Sequence, residues 1–134
     1  TKVDYTKFFR LLSDIPKEIS SLKKSFYQDC SIEIDALWNN WLKAWYKSLK
    51  KVNDINQISS DMKKVNPRYT WREWLISFAY KAAERGDFSL IKELQVVFDN
   101  PYEDLSIDLQ NKYDLIRPLK FFNKGGISHY SCSS

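Results

Sequence analysis

The stretch Asn66–Tyr102, NPRYTWREWLISFAYKAAERGDFSLIKELQVVFDNPY, predicts two consecutive amphipathic helices. The first can start at Pro67, whose missing N–H is unpaired in a first turn anyway, with Asn66 as its cap. Thr70 and Glu73 offer a second start, because the T-x-x-E spacing can form a capping box. Apolar residues at helical spacing then form one stripe: Trp71, Trp74, Leu75, Phe78, Ala79 and Ala82.

The sequence also marks the turn between these two helices. Gly86 can end the first helix in the left-handed conformation, and Asp87 can cap the second. Asn100-Pro101 ends the second helix. The apolar face of the second helix comprises Leu90, Ile91, Leu94, Val97 and Phe98. This pattern predicts two packed helices and, by itself, indicates no catalytic or binding residue.

Helical patterns also fill the chain before Asn66. Asp4 can cap a first helix, which Pro16 interrupts, and Ser31 can cap a longer helix of about four turns. A further helix leads into Asn66. The apolar positions of these segments are, in chain order, Tyr5, Phe8, Phe9 and Leu12, then Ile19, Leu22 and Phe26, then Ile34, Leu37, Trp38, Trp41, Leu42, Trp45 and Leu49, then Ile55, Ile58, Met62 and Val65.

The fold class follows from these patterns and from composition. A short helix over Ser106–Leu115 precedes Pro118, and no segment alternates at the period of two that a half-buried strand requires. Only three residues are glycine, and 43% are apolar. We therefore predict an all-α protein: a compact multi-helix domain of about five to seven helices over residues 1–118, and an irregular C-terminal tail over 119–134.

Length and hydropathy exclude several classes of protein. The 134 residues suffice for about one domain. No apolar run approaches the roughly 20 residues that span a bilayer, and no signal-peptide pattern opens the chain. No membrane partner is therefore expected. The sequence starts at Thr1, without Met and directly in a helical pattern, so we expect a piece of a larger protein.

Charge is spread unevenly along the chain. Residues 42–72 hold eight basic and two acidic side chains, whereas residues 99–114 hold one basic and five acidic. The favoured interpretation is that Lys43, Lys47 and Lys51 form the solvated face opposite the tryptophan stripe. The alternative is a basic patch for nucleic acid or an acidic protein, but the net charge of +4 is modest. Since the tryptophans repeat at helical spacing with leucine, core packing is favoured over base stacking, and no nucleic-acid partner is expected.

Catalytic constellations are absent from this sequence. His129 is the only histidine, and two cysteines separated by 101 residues make no metal signature. Gly125-Gly126 lacks the spacing of a phosphate-binding loop. Arg72 is more economically a structural ion pair or carbonyl contact than a catalytic group, and Asn66 and Asp87 are most economically helix caps. We therefore predict no catalytic, cofactor-binding or metal-binding residue in this chain.

Several short motifs do carry a resemblance to a known family. They are Asn66-Pro67, Arg72, Ala82-Ala83-Glu84, Gly86-Asp87-Phe88, Leu94, Asn100-Pro101-Tyr102 and the terminal Ser131-Cys132-Ser133-Ser134, with looser matches at Val3-Asp4-Tyr5, Phe9-Arg10-Leu11-Leu12-Ser13, Trp41-Leu42, Tyr46 and Leu49. In order and spacing the chain resembles the C-terminal region of the selenoprotein O/YdiU family. The resemblance covers nearly the whole chain but only the last part of a family member.

This resemblance implies a parent with an atypical protein-kinase fold that transfers AMP from ATP to protein hydroxyls. ATP and Mg²⁺ are then expected cofactors of the parent and not of this chain, because the family places its nucleotide-binding and catalytic motifs outside this region. The chain alone is expected to be inactive and to support the kinase-like lobe. Its expected partners are the remainder of its own chain and, for the parent, protein substrates. Family members imply a cytoplasmic location in bacteria or a mitochondrial one in eukaryotes, with the cytoplasm favoured.

The resemblance also singles out Cys132. In the family this position, third from the end, carries cysteine or selenocysteine, which is thought to pair with a cysteine near the activation loop as a redox switch. An exposed thiol can form disulfides readily. Cys30 is the other thiol, and both are expected to be reduced, with a Cys30–Cys132 disulfide as the alternative.

Departures from the family pattern indicate a divergent member. Trp71-Arg72-Glu73-Trp74 replaces Leu-Arg-Asn-Tyr, and Ser77-Phe78 replaces Ala-Gln, so Phe78 is expected to deepen the apolar stripe. Arg117-Pro118-Leu119-Lys120-Phe121 replaces a Pro-Pro-x-Trp stretch. The competing hypothesis is a non-enzymatic helical interaction module that holds an acidic partner on the Lys43–Arg72 basic surface.

Overall fold

The computed structural model describes residues 1–52 and 54–122. Within these ranges the chain forms six α-helices and three 3-10 turns, with no strand beyond one isolated bridge between Val3 and Phe26. The helices are α1 (Tyr5–Leu12), α2 (Ile32–Leu49), α3 (Ile55–Val65), α4 (Glu73–Ala83), α5 (Ser89–Asp99) and α6 (Ile107–Tyr113). The 3-10 turns are Ile19–Ser21, Lys23–Ser25 and Leu119–Phe121. The predicted all-α class is confirmed.

The chain divides into two compact units, the N-terminal unit Thr1–Arg68 and the C-terminal unit Tyr69–Ser134. The N-terminal unit holds α1, α2, α3 and the first two 3-10 turns, and the C-terminal unit holds the rest. The division into a helical domain at 1–118 and an irregular tail at 119–134 stays a prediction. Leu119–Phe121, at the start of that segment, forms a 3-10 turn. In the part that the structure describes, no helix is long and apolar enough to cross a membrane.

Local caps start the helices of the N-terminal unit as predicted. The Asp4 side chain accepts a hydrogen bond from the Lys7 N–H at 3.0 Å, and Ser31 accepts one from the Ile34 N–H at 3.4 Å. The segment after Pro16 forms two 3-10 turns. Its three predicted apolar residues are buried in one core with side chains of α1 and α2, and this core comprises Phe8, Leu12, Ile19, Leu22, Phe26 and Leu42.

A buried arginine ties α1 to the end of α3. Arg10 is 5% exposed, and its Nη1 donates to the backbone carbonyls of Lys63 at 3.2 Å and Asn66 at 3.3 Å. The Asn66 amide donates to Ser13 Oγ at 3.1 Å, and Ser59 Oγ donates to the Ser13 carbonyl at 2.7 Å. Hydrogen bonds to a charged donor are among the stronger ones in proteins. These bonds therefore fix two segments that are more than 40 residues apart in sequence.

The predicted helix start at Asn66 is wrong. Asn66 is the C-cap residue of α3, with its N–H bonded to the Met62 carbonyl, and α4 begins only at Glu73. The hydrogen bonds of Asn66 with Arg10 and Ser13 explain this, because they hold Asn66 at the end of α3. The alternative start with a Thr70–Glu73 capping box is also absent, since Arg72 occupies the N-cap and no side chain caps the helix there.

The turn between α4 and α5 forms at Gly86 as predicted, but Phe88 and not the predicted Asp87 occupies the N-cap of α5. Gly86 has a φ of +84°, its N–H donates to the Ala83 carbonyl, and the Asp87 N–H donates to the Ala82 carbonyl. This pair of bonds is a Schellman motif. The Asp87 carboxylate accepts from the Ser89 N–H at 2.9 Å, and hydrogen bonds from the Ser89 side chain and from this N–H hold the pKa of Asp87 below its usual value. Asp87 thus satisfies a backbone donor at the start of α5.

The buried face of α4 differs from the predicted stripe. Trp71 precedes the helix and is 67% exposed, and Phe78 is 46% exposed, whereas Ile76 is buried. Phe78 therefore does not deepen a buried stripe as expected. The buried face centres on Ala79 and Ala82, because small side chains there allow a close approach to a neighbouring helix. The core of this unit comprises Tyr69, Ala79, Leu94, Val97 and Tyr113.

The short helix predicted over Ser106–Leu115 is present as α6. The Ser106 side chain accepts from the Leu109 N–H at 3.4 Å and so caps its start. The helix ends at Tyr113, before Pro118. Its buried residue, Tyr113, joins the core of the C-terminal unit.

Candidate functional site

The apolar stripe of α2 packs only in part against the core that the sequence predicted for it. Leu42 is fully buried, but Leu37 is 64% exposed and Trp41 is 43% exposed. Trp38 and Trp45 are only partly buried. Helical periodicity shows on which side of a helix the apolar residues lie, but it does not show whether another segment covers them. Part of the apolar stripe of this 18-residue helix can therefore stay exposed. The exposed part of this stripe is a candidate binding surface in the N-terminal unit.

This stripe forms one wall of an open apolar groove of about 640 Å³. Helices α1 and α3 supply the other walls. The lining residues are Phe8, Phe9, Leu12, Trp38, Trp41, Trp45, Leu49, Ile58 and Met62. We call this feature the α2 groove.

Ring contacts fix the tryptophans of the α2 groove. Trp41 stacks on Trp45 with a centroid distance of 5.7 Å and an interplanar angle of 4°, and it meets Trp38 edge-on at 5.7 Å. Trp38 also contacts Phe8 at 5.6 Å. Aromatic pairs of this kind add stabilisation beyond their buried area. The rings therefore present a pre-formed surface.

A smaller hollow extends the α2 groove toward the start of the helix. It measures about 220 Å³ and is lined by Thr1, Ile34, Leu37, Trp38 and Trp41. Trp38 and Trp41 line both spaces, so the apolar surface is continuous from Ile34 to Leu49. At 1.5 Å per residue this is a length of roughly 22 Å.

The groove carries no chemistry beyond apolar contact. None of its nine lining residues is titratable. Lys43, Lys47 and Lys51 are exposed, as the solvated-face interpretation predicted. Lys50 and Lys17 lie over the ring of Tyr46 at 5.0 and 5.4 Å. The arrangement suits binding of an apolar segment and not acid–base or nucleophilic catalysis.

The C-terminal unit contains one compact polar cluster. The Tyr113 hydroxyl donates to Glu93 Oε1 at 2.5 Å, and Lys112 forms an ion pair with the same oxygen. Hydrogen bonds from Lys112 and Tyr113 hold the pKa of Glu93 below its usual value. Burial, followed by the hydrogen bond to Glu93, raises the pKa of Tyr113 to about 12. With one carboxylate, this cluster links α5 to α6 and offers no acid–base pair.

The C-terminal unit also has a smaller apolar hollow. It measures about 290 Å³, and its walls include Trp71, Phe98 and Asp99. Trp71 stacks on Phe98 with a centroid distance of 4.5 Å. This contact gives the exposed Trp71 a packing role within its own unit, since it covers an apolar residue of α5.

The remaining residues singled out in the sequence do not meet in a site. Arg72 is half-buried at the N-cap of α4. Cys30 is half-buried, with its Sγ 3.6 Å from Thr1 Oγ1. The candidate redox residue Cys132 lies outside the described residues, as do His129 and Gly125-Gly126. Across residues 1–52 and 54–122 no group of three or more His, Cys, Asp or Glu is placed to hold a metal ion.

Sequence reasoning missed the buried polar residues of the N-terminal unit. Arg10 and Ser13 were quoted only as part of a motif, yet they connect α1 to α3. The sequence did indicate that Arg10 could be buried, because it lies between the apolar residues Phe9 and Leu11. A buried cation needs acceptors, and backbone carbonyls are the local supply.

Comparison with known proteins shows that the chain is similar to one protein family. The family described as "Protein adenylyltransferase SelO" matches residues 1–98. The Protein nucleotidyltransferase YdiU of Cytophaga hutchinsonii is 32% identical over 99% of this chain and 26% of its own length. The YdiU protein of Aromatoleum aromaticum is 33% identical over 99% and 26%, and that of Photobacterium profundum is 36% identical over 76% and 22%. The chain thus spans about a quarter of the length of these relatives. No solved structure matches.

Proposed function

The chain belongs to the protein adenylyltransferase SelO family, and on that premise we propose that its parent protein transfers AMP from ATP to Ser, Thr or Tyr hydroxyls of proteins. The observation that carries the proposal is the family match over residues 1–98, supported by relatives named protein nucleotidyltransferase that align along 99% of the chain. In this reaction the hydroxyl oxygen bonds to the α-phosphorus of ATP. The bond from that phosphorus to the bridging oxygen breaks, pyrophosphate leaves, and the hydroxyl proton is released.

The described residues do not fit a site for ATP or Mg²⁺. They contain no group of acidic side chains placed to hold a metal ion, and the α2 groove has no charged lining residue that would pair with phosphate. We assign no step of the transfer to residues 1–122. The proposal therefore places ATP and Mg²⁺ in the remainder of the parent and expects no transfer by this chain alone.

The proposed role of the chain is structural support of the kinase-like part of the parent. The N-terminal unit supports this role, because its polar contacts fix α1 against α3 while the α2 groove stays open. A unit of this kind presents a rigid apolar surface to a partner. The proposed partner is the remainder of the same chain, in a cytoplasmic protein.

The second part of the proposal concerns Cys132. The Ser131-Cys132-Ser133-Ser134 motif resembles the family position that carries cysteine or selenocysteine, and this resemblance supports a redox switch in which the Cys132 thiolate forms a disulfide with a cysteine elsewhere in the parent. Two electrons and two protons leave the pair of thiols when the disulfide forms, so the switch needs an oxidant such as a cellular disulfide. Reduction by thiols would reverse it.

One experiment on the full-length parent tests both parts. The protein is incubated with Mg²⁺ and ATP labelled at the α- or the γ-phosphate, with and without reductant, as the wild type, Cys132→Ser and the matched control Cys30→Ser. Incorporation of the α label but not the γ label into protein is expected, with a reductant effect that Cys132→Ser abolishes and Cys30→Ser keeps.

Other outcomes of this experiment are equally informative. Incorporation of the γ label would overturn AMP transfer in favour of phosphorylation. A reductant effect that survives Cys132→Ser would remove the switch from this residue. A folded parent that binds ATP but incorporates neither label would favour the second candidate, a non-enzymatic interaction module. The exposed Lys43, Lys47 and Lys51 support that candidate, because they form a cationic surface for an acidic partner.

A further inference from the structure

We propose that the α2 groove is filled, in the parent protein, by an apolar helical segment from the part of the chain outside residues 1–134. The proposal rests on the proposed function, since it names the surface through which the chain supports the remainder of its parent. It adds the site, the kind of occupant and the origin of that occupant.

The first argument is the exposed apolar area. Leu37 is 64% exposed and Trp41 is 43% exposed, and both belong to one continuous surface that runs along α2. Soluble proteins rarely leave a large contiguous apolar patch in water without a binding role. Grooves with aromatic anchors at their centre are the usual sites for an amphipathic helix. The α2 groove has three tryptophans at that position.

The second argument is the chemistry of the walls. All nine residues that line the groove are apolar, so the occupant must present an apolar stripe and no charge toward it. The groove and the smaller hollow together form an apolar surface from Ile34 to Leu49, and its length of roughly 22 Å corresponds to about four helical turns. Lys43 lies about 160° around α2 from Trp41 and is exposed, so the helix has one face for a partner and one for water.

The third argument identifies the occupant. The chain covers about 26% of the length of its relatives, so about three quarters of a protein of that size lies outside it. A segment of the same polypeptide has a high effective concentration at the α2 groove, so it binds there in preference to a second copy or a separate protein. An intrachain occupant is therefore favoured over a homodimer.

The test uses photo-cross-linking in the full-length parent. Leu37 is replaced by the photo-reactive amino acid p-benzoylphenylalanine, and Lys43, on the lysine face of the same helix, receives the same replacement as the matched control. Both side chains are exposed within this chain, so neither replacement removes a core residue. We expect intrachain cross-links from position 37 to a segment outside residues 1–134, at a yield about tenfold above that from position 43.

Three results would overturn the proposal. They are cross-linked dimers of the parent, cross-links confined to residues 1–134, and equal yields at the two positions. Ile34, which is 38% exposed and lines the same surface, provides a second position for the photo-reactive group and must give the same segment as Leu37.

The result is separable from the outcome of the labelled-ATP experiment. If the expected cross-link forms in a parent that transfers no AMP, the proposed function fails and the docking site stands. If AMP transfer occurs and the cross-link is missing, the docking site fails and the proposed function stands.

Discussion

The two units of this chain reach stability by different means. The N-terminal unit contains all the buried polar residues found in the described ranges, Asp4, Arg10, Ser13 and Ser25. Hydrogen bonds between Arg10 or Ser13 and residues of α3 or its end span 46 to 56 positions of sequence. The C-terminal unit has an apolar core in which α4 meets α5 across a short glycine turn. The N-terminal unit adds polar contacts between distant segments to its apolar core, whereas the C-terminal unit adds the contact between Glu93 and Tyr113 to the packing of neighbouring helices.

The left-handed residues show the same contrast. In the C-terminal unit Gly86 has a φ of +84°, and a side chain there would meet nothing within 4 Å. In the N-terminal unit Ile15 has a φ of +51° and is 6% exposed. A β-branched residue in that region is strained, so burial of the Ile15 side chain offsets a backbone cost. The N-terminal unit therefore has a strained backbone at the buried Ile15, whereas the C-terminal unit has glycine at its left-handed position.

This difference explains why the open apolar surface lies on the longest helix of the N-terminal unit. Arg10 and Ser13 already hold α1 to α3, so α2 contributes to the core mainly through Leu42 and keeps an open face. A binding surface of this kind needs a scaffold that does not collapse onto it. Four predictions test the contrast, from the largest expected effect to the smallest.

The largest effect separates the two faces of α2. Leu42→Ala removes a fully buried side chain, so we expect a loss of about 3 kcal/mol in the free energy of unfolding. Leu37→Ala removes a leucine that is 64% exposed on the same helix, so we expect less than about 0.5 kcal/mol. Urea unfolding of the chain measures both. Equal losses would mean that α2 has no open face.

The second prediction tests the polar tie of the N-terminal unit. Arg10→Met keeps a long apolar side chain but removes the donors to the Lys63 and Asn66 carbonyls, so we expect a loss of about 2 kcal/mol. Arg85→Met, at an exposed position of the C-terminal unit, serves as the control and should change the free energy of unfolding by less than about 0.5 kcal/mol. A cost for Arg10→Met no greater than the control would contradict the contrast between the units.

The third prediction concerns the glycine turn of the C-terminal unit. Gly86→Ala places a Cβ in open space but in the left-handed region, so the cost is backbone strain of about 1 kcal/mol. Gly86→Asn should cost less, because asparagine adopts this conformation more readily. Thermal unfolding of the two variants compares them. An alanine variant as stable as the wild type would show that the turn does not need its left-handed residue.

The last prediction is a pH dependence that Glu93 and Tyr113 contribute in the C-terminal unit. The folded pKa of Glu93 is lowered, so its contribution is present above the unfolded pKa and is lost as the pH falls through the folded value. The pKa of Tyr113 is raised from 10.0 to about 12, so its contribution is present below pH 10 and is lost as the pH rises toward 12.

Two substitutions assign these pH effects. Glu93→Gln should flatten the acid side of the stability profile, and Tyr113→Phe should flatten the alkaline side. Urea midpoints between about pH 3 and pH 12 measure the profiles, because this range includes the ordinary pKa values of carboxyl and phenol groups. Wild-type profiles in either variant would show that the contacts among Glu93, Lys112 and Tyr113 do not survive in solution.

The sequence predicted the helices and their caps better than the tertiary contacts that the helices make. The caps at Asp4 and Ser31 and the left-handed Gly86 are confirmed, because each depends on backbone groups within a few residues. The helix start at Asn66 was wrong, because Asn66 is held by Arg10 and Ser13, which lie more than 50 residues away. Local rules describe a cap correctly only when no distant group competes for it.

The candidate groove was predictable in part. The stripe of Trp38, Trp41 and Trp45 was evident, but the sequence favoured core packing for it. Hydrophobic periodicity gives the direction of an apolar face and does not say whether another segment covers it. The structure shows that within the N-terminal unit α1 and α3 line the groove without closing it.

The sequence by itself determined the helical class, most helix ends and the family, because these depend on local propensity, capping and short motifs. Only the tertiary structure decided which face of α2 stays open, which carbonyls receive Arg10, and which side of α4 is buried. Such choices depend on which distant segments meet, since burial and hydrogen bonding are properties of the assembled chain and not of any one stretch.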